Sequence, residues 1–225
     1  MNALGLALPV ICLVTSRHAL APDALTIDAE IAAMEEQVDL AVAGGVNLIQ
    51  VRERDLDARD LSRLVVRLIQ QTRGRARLVV NDRADVALAA GADGVHLRAD
   101  GPAADHVRSL ARPDWIVGRS IHSEAEARRF TAEDYLIFGT VFPSRSKPAG
   151  SPVAGVDALA DAAALASVPV LAIGGITPER ASACRDAGAA GIAAIELFLT
   201  AGRMPGSLGP RAAAMALQAA WGSKN

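Results

Sequence analysis

The stretch VPVLAIGGITPE, from Val168 to Glu179, has the pattern of a buried strand that runs directly into a helix. Its apolar half is typical of a strand covered on both faces, and Thr177 followed by Pro178 is typical of the start of a helix. Gly174 and Gly175 lack a Cβ, so backbone N–H groups there can approach an anion closely. The pattern predicts a phosphate-binding turn. A tight turn between strand and helix needs the same glycines, so both interpretations stay open.

Working outward from this stretch, short apolar runs alternate with helix-like segments along the whole chain. The predicted strands are Val10–Thr15, Leu48–Arg52, Leu78–Asn81, Gly94–Leu97, Ile116–Ser120, Tyr135–Thr140, Pro169–Ile173 and Gly191–Ile195. The predicted helices are Asp28–Val42, Asp57–Gln71, Ala84–Ala90, Glu124–Phe130, Val156–Ala166, Pro178–Ala187 and Pro210–Trp221. Eight β-α repeats without a linker predict a single (β/α)8 TIM barrel spanning residues 1–225. An open, doubly wound sheet is the alternative, but the chain leaves little room for its extra layers.

Composition and charge exclude several classes of protein. Hydrophobic residues make up 51% of the chain and aromatic residues only 3%, which suits small apolar side chains packed between helices and parallel strands. The net charge of -2 argues against a nucleic-acid or membrane partner. We expect a cytoplasmic protein, because the first residues lack a basic signal-peptide flank and no long apolar run occurs. Cys12 and Cys184 are expected to be buried free thiols, and a homo-oligomer stays open.

In a barrel, the carboxyl ends of the strands converge on one mouth, so polar residues at those ends are candidate site residues. Strand alternation places Gln50, Arg52 and Arg54 on one side, where the two guanidiniums could hold a phosphate or diphosphate. A solvated charged loop is the alternative. Asp82 could ligate a metal or, as its position alone favours, cap the helix that starts near Ala84.

Two further strand ends carry candidate residues. Ser120 and His122 share a face at the end of the fifth strand. The loop after the sixth strand, residues 140–148, is rich in hydroxyls and cations and suits anionic oxygens. Its candidate residues are Ser144, Ser146 and Lys147.

Five motifs in a fixed order resemble the thiamine phosphate synthase/TenI family. They are a Q-x-R-x-K-like strand end (Gln50, Arg52, Arg54), N-D-R-x-D-x-A-x-x-x-G-A-D-G-x-H-L (Asn81 to Leu97), G-x-S-x-H (Gly118 to His122), a P-T-x-T-K-like loop (Pro143, Ser144, Ser146, Lys147) and I-G-G-I-T-P-E (Ile173 to Glu179). The resemblance implies a barrel enzyme of thiamine biosynthesis. It joins hydroxymethylpyrimidine diphosphate to thiazole phosphate, releases diphosphate and makes thiamine phosphate.

The resemblance also implies roles for single residues. The positions that handle the pyrimidine diphosphate correspond to Gln50, Arg52, Arg54, Asn81, Ser144, Ser146 and Lys147. Gly174 and Gly175 correspond to the cradle of the thiazole phosphate. Mg²⁺ is the implied cofactor, with Asp82 and Asp100 as its candidate ligands, and phosphorylated small molecules are the implied substrates.

Three positions depart from the family pattern. The run Arg98-Ala99-Asp100-Gly101 places Gly101 where the family has its second metal-binding acid, and Arg98 adds a positive charge nearby. Glu196 stands where the family commonly has a Ser beside the phosphate, so its carboxylate is expected to face away, to pair with a cation, or to mark a changed ligand. Arg54 stands where the family usually has Lys.

These departures keep two other functions open. TenI-type members aromatise a thiazole carboxylate phosphate by moving a proton, need no metal, and use the His of the G-x-S-x-H motif, here His122. A purely structural role is the alternative for His122, and His96 is expected to be a hydrogen-bonded strand-end residue rather than a catalyst. The third hypothesis is a barrel that binds a thiazole or thiamine phosphate without turnover.

Overall fold

The computed structural model describes residues 5–144, 150 and 152–222 and shows a closed barrel of eight parallel strands. Each strand pairs with the next along the chain, and the eighth pairs with the first. The strands are β1 (Val10–Val14), β2 (Leu48–Val51), β3 (Arg77–Asn81), β4 (Gly94–Leu97), β5 (Ile116–Ile121), β6 (Tyr135–Gly139), β7 (Val170–Ile173) and β8 (Gly191–Ala194). The predicted (β/α)8 barrel is confirmed, and the open sheet is excluded.

Helices follow the strands and pack on the outside of the barrel. They are α1 (Arg17–Leu20), α2 (Ile27–Ala43), α3 (Ala58–Thr72), α4 (Ala84–Ala90), α5 (Ala104–Arg108), α6 (Glu124–Arg129), α7 (Gly155–Leu165), α8 (Pro178–Asp186) and α9 (Pro210–Gly222), with a short 3-10 helix at Glu196–Phe198. The seven predicted helices are confirmed, whereas α1 and α5 have only four and five residues and show no helical period in the sequence. In the described part of the chain, no helix combines the length and the apolar character that crossing a bilayer requires.

Strand alternation divides the core into two layers. In β1, Val10, Cys12 and Val14 point into the barrel, and Ile11 and Leu13 between them pack against the helices outside. Both cysteines are buried and free, as predicted. Burial raises the pKa of the Cys12 thiol well above its usual value, so this thiol stays protonated.

A line of polar side chains crosses the barrel interior at His96. Its Nδ1 lies 3.0 Å from the Tyr135 hydroxyl, and its Nε2 lies 2.9 Å from Ser120 Oγ. Gly118 on the neighbouring strand leaves room for Tyr135, because a Cβ at position 118 would overlap the Tyr135 ring. Burial, assisted by the charges of Arg119 and Arg52, lowers the pKa of His96 to about 3. His96 is therefore a neutral, hydrogen-bonded core residue.

The first prediction concerns the acid sensitivity that His96 confers. The unfolded imidazole titrates near pH 6.5, whereas in the folded protein its pKa is about 3. Between these values the unfolded chain binds one more proton, so the free energy of unfolding falls as the pH falls. We expect lowering the pH from 7 to 5 to cost about 2 kcal/mol through His96 alone. Urea unfolding of the wild-type protein and of His96→Gln at both pH values measures this loss, which should be absent in the variant. If the variant lost as much stability as the wild-type protein, His96 would not be a neutral, buried group in the folded protein.

The second prediction concerns the space at Gly118. Gly118→Ala should lower the free energy of unfolding by about 1–3 kcal/mol, because the added methyl group displaces the Tyr135 ring from His96. Gly222→Ala is the matched control, since a Cβ at Gly222 meets no atom within 4 Å. Urea unfolding measures both variants. If the two variants had the same free energy of unfolding, the predicted overlap between residue 118 and the Tyr135 ring would be contradicted.

Candidate active site

A cavity of about 380 Å³ opens at the carboxyl ends of the strands, where a barrel enzyme is expected to hold its substrate. Its floor is apolar, and it includes Ile173, Ala193 and Ile195. Polar side chains reach it from the loops that follow β1, β2, β6 and β8. They are Ser16, Arg52, Thr140, Ser144 and Glu196.

The diglycine turn after β7 forms one wall of this cavity. Gly174 and Gly175 have φ angles of +100° and +61°, in the left-handed region that favours glycine. A Cβ on Gly174 would overlap the Thr140 side chain, and one on Gly175 would overlap the carbonyl of Pro143. Both the backbone conformation and the close approach of the β6 loop therefore require glycine. The turn faces a cavity, as the phosphate interpretation needs, and phosphate binding there stays a prediction.

Arg52 lines the same cavity, and its backbone N–H belongs to a network of buried polar side chains. Its N–H donates to Thr15 Oγ1 at 2.9 Å, and that hydroxyl donates to Glu53 Oε1 at 2.6 Å. The same carboxylate accepts from the backbone and the guanidinium of Arg17. Burial raises the pKa of the Glu53 carboxyl, and the bonds from Thr15 and Arg17 oppose this shift. The network joins the ends of β1 and β2. It was not predicted, because Arg17 and Glu53 lie far apart in the sequence and nothing there indicates that they pair.

The other predicted residues of the β2 end lie elsewhere. Gln50 is buried, and its Nε2 donates to Asn81 Oδ1 at 2.8 Å. Arg54 is exposed and lines a separate pocket of about 130 Å³ with Asn81 and Asp82. Because β2 ends at Val51, strand alternation does not extend to Arg54. Arg52 lines the cavity of about 380 Å³ and Arg54 does not, so the two guanidiniums are not brought together there as predicted.

Asp82 does not cap the helix that follows it, which corrects the interpretation its position favoured. Helix α4 begins at Ala84 with Arg83 as the preceding residue, and no side chain caps it. Asp82 has a φ of +59°, and this turn directs its carboxylate towards the β4 loop. There its Oδ1 accepts the backbone N–H of Arg98 at 3.1 Å, and its Oδ2 lies 3.2 Å from Arg98 Nε.

The two candidate metal ligands share this arginine. Arg98 Nε lies 3.7 Å from Asp100 Oδ1 as well as close to Asp82. In the described ranges, no group of three or more His, Cys, Asp or Glu side chains is arranged to hold a metal ion. Mg²⁺ prefers a near-octahedral shell of oxygens, whereas here a guanidinium approaches both carboxylates. A guanidinium charge therefore lies beside both candidate carboxylates, and Mg²⁺ binding there stays a prediction.

Ser120 lies near the end of β5 and His122 directly after it, and neither lines the large cavity. Ser120 is bound to His96, as described above, and His122 is exposed. The Nδ1 of His122 lies 2.6 Å from the carbonyl oxygen of Gly139, which can only accept. Nδ1 therefore carries the proton of the neutral ring, and Nε2 is its basic nitrogen. Ser144 lines the cavity, while Ser146 and Lys147 lie outside the described residues.

Glu196 and Met204 are cavity residues whose roles the sequence did not define. Glu196 starts the 3-10 helix after β8 and is one of the residues that line the cavity. Across residues 5–144 and 152–222, no cation forms an ion pair with it. Met204 belongs to the glycine-rich loop before α9, where Ser207 Oγ accepts the Met204 N–H at 3.1 Å. This loop closes one side of the cavity.

Comparisons with known proteins agree with this architecture. Residues 23–198 match the family described as thiamine monophosphate synthase. The chain is 43% identical over 187 residues to a thiamine-phosphate synthase of Anaeromyxobacter dehalogenans, covering 82% of each chain. It is 37% identical over 213 residues to a thiamine-phosphate synthase of Roseiflexus sp., covering 93% of this chain and 84% of that protein.

A solved structure shows the same similarity in three dimensions. The thiamine phosphate pyrophosphorylase of Pyrococcus furiosus superposes with a TM-score of 0.76 and 31% sequence identity, covering 94% of this chain and 95% of that one. Sequence and fold thus agree. The chain belongs to the thiamine monophosphate synthase family.

Proposed function

We propose that the protein is a thiamine phosphate synthase, which transfers the pyrimidinylmethyl group of hydroxymethylpyrimidine diphosphate from the diphosphate oxygen to the nitrogen of thiazole phosphate. One observation carries the proposal: in this member of the family, Arg52 and the Gly174–Gly175 turn line the same cavity. One feature supplies a positive charge and the other supplies backbone N–H groups. A diphosphate and a phosphate bound side by side can use both kinds of donor, the guanidinium and the backbone N–H groups.

The chemistry requires charge stabilisation more than proton transfer. The bond between the methylene carbon and the diphosphate oxygen breaks, and its electron pair leaves with diphosphate. The thiazole nitrogen then donates its lone pair to the pyrimidine-stabilised carbocation and forms the new C–N bond. No proton moves in either step, so the protein acts mainly by stabilising the negative charge that grows on the departing oxygens.

Each site residue has a place in this scheme. Gly174 and Gly175 receive the thiazole phosphate, while Arg52 and Ser144 receive the diphosphate. The bond from Gln50 to Asn81 orients two amides at the barrel mouth for the pyrimidine substrate. Roles for Ser146 and Lys147 in binding the diphosphate rest on the family resemblance. The proposal places the enzyme in the cytoplasm with small-molecule substrates.

The decisive measurement is the formation of thiamine phosphate from the two substrates, detected after conversion to fluorescent thiochrome. We expect product with the wild-type protein. Arg52→Gln should lower kcat by about 10²-fold, because it removes a charge that stabilises the leaving group. Arg63→Gln is the control, since Arg63 pairs with Asp28 on the outer helices and should retain full activity. No product from the wild-type protein, with or without Mg²⁺, would overturn the proposal.

One observation supports thiazole tautomerisation as a second candidate. The bond from His122 Nδ1 to the Gly139 carbonyl leaves Nε2 as a base, although His122 lies outside the large cavity. If the protein isomerises a thiazole carboxylate phosphate, the turnover should resist chelators and fall by about 10²-fold or more in His122→Ala. Full turnover in that variant would remove this candidate. A rise in melting temperature with the thiazole phosphate, without product in either assay, would instead indicate a binding protein.

A further inference from the structure

We propose that Arg98 is a diphosphate-binding residue that supplies a built-in positive charge at the barrel mouth, so that the anion binds without a divalent cation. The identity of the anion rests on the proposed function. The structural basis is independent of it and consists of the contacts of Arg98, the shape of its loop and the charges at the neighbouring strand ends.

The Asp82 carboxylate is already satisfied by the chain itself. Its Oδ1 accepts the backbone N–H of Arg98, and its Oδ2 accepts from Asn81 Nδ2 at 3.0 Å and lies 3.2 Å from Arg98 Nε. A divalent cation at Asp82 would have to displace these donors and lie next to the guanidinium charge, which is unfavourable by Coulomb repulsion. The geometry favours an organic cation at this position.

The loop that carries Arg98 is anchored by a buried ion pair. Arg119 Nε donates to Glu133 Oε1 at 2.6 Å, and both side chains are at most 2% exposed. The remaining nitrogens of Arg119 donate to the carbonyls of Arg98, Gly101 and Pro102 at 2.9, 3.3 and 2.5 Å. The guanidinium of Arg119 therefore fixes the path of the backbone from Arg98 to Pro102.

The same loop carries no carboxylate at position 101. An added Cβ on Gly101 would lie 3.1 Å from the carbonyl oxygen of Arg98, a tight contact that a movement of a few tenths of an ångström would relieve. Steric exclusion therefore does not explain the glycine. Where the family resemblance places a metal-binding acid, this loop has no acidic side chain, and Arg98 supplies a positive charge three residues earlier.

Arg98 also has free donors for an anion. Its side chain is 57% exposed, and Nη1 and Nη2 have no hydrogen-bond partner among the described residues. Arg54, at the end of β2, forms no ion pair within the same part of the chain and lines a pocket with Asp82. Since β2, β3 and β4 are consecutive in the barrel, Arg54 and Arg98 lie on either side of Asp82. Two guanidiniums so placed suit the oxygens of a diphosphate.

The test is a calorimetric titration of inorganic diphosphate into the full-length protein in the presence of EDTA. We expect the wild-type protein to bind, and Arg98→Gln to bind about tenfold more weakly, as loss of one charge-assisted pair implies. Arg112→Gln is the matched control, because Arg112 is a similarly exposed arginine paired with Asp114. Binding that requires Mg²⁺, or unchanged affinity in Arg98→Gln, would overturn the proposal.

The thiochrome assay with EDTA separates this inference from the proposed function. Product formed in EDTA by the wild-type protein, and reduced in Arg98→Gln but not in Arg112→Gln, supports the role of Arg98. Product that forms only with Mg²⁺ overturns that role and leaves the synthase in place. Metal-free diphosphate binding that depends on Arg98, with no product under any condition, supports the role of Arg98 and overturns the synthase.

Discussion

The pairing of β1 with β8 is the constraint on which the rest of the structure depends, because it closes the sheet. Val10 to Leu13 lie in register with Gly191 to Ala194, so the first and last strands end at the same level. Gly191 permits this approach, since a Cβ there would overlap the Val10 carbonyl. Closure places the carboxyl ends of all eight strands around one mouth. Arg52 and Gly174 can therefore line one cavity although they are far apart in the sequence.

Buried polar groups then determine which loop conformations the mouth can adopt. Thr15, Glu53 and Arg17 lock the loop after β2 to the end of β1, whereas Arg119 and Glu133 lock the loop after β4. Such groups are costly to bury unless they are paired, so each network strongly favours a single arrangement. Of the buried side-chain polar atoms in the described residues, Gln37 Oε1 alone lacks a partner. The site is thus held by hydrogen bonds rather than by the apolar core alone.

Most of the fold could be predicted from the sequence, because buried parallel strands form short apolar runs between helix signals. The eight strands begin and end within one residue of the predicted bounds. Local spacing could also place Arg52 and the Gly174–Gly175 turn at the mouth. It could not show that Asp82 has a positive φ, or that Arg54 lines a different pocket from Arg52. Those features depend on contacts between strand ends, which have no local sequence signal.

The role of Arg119 was unpredictable for the same reason, since its partners are a side chain and three carbonyls on other elements. In the G-x-S-x-H motif it occupies a position where the pattern specifies no residue. The direction of its side chain follows from the tertiary structure. This explains why the departures at Arg98 and Gly101 looked like isolated losses in the sequence, whereas the structure shows them as parts of one anchored loop.

The charges divide the mouth into two regions with different kinds of donor. In the large cavity, Arg52 is the one cation among the described lining residues, and Glu196 offsets its formal charge. The neutral donors there, which are the N–H groups of the Gly174–Gly175 turn and the Thr140 hydroxyl, suit the thiazole phosphate, whereas Arg52 and Ser144 are the donors proposed for the diphosphate. The exposed guanidiniums of Arg54 and Arg98 lie instead at the ends of β2 and β4. The proposed reaction requires this arrangement, in which neutral donors hold the phosphate and cations hold the diphosphate. Negative charge increases only on the diphosphate as its bond to carbon breaks, so the cations are needed there.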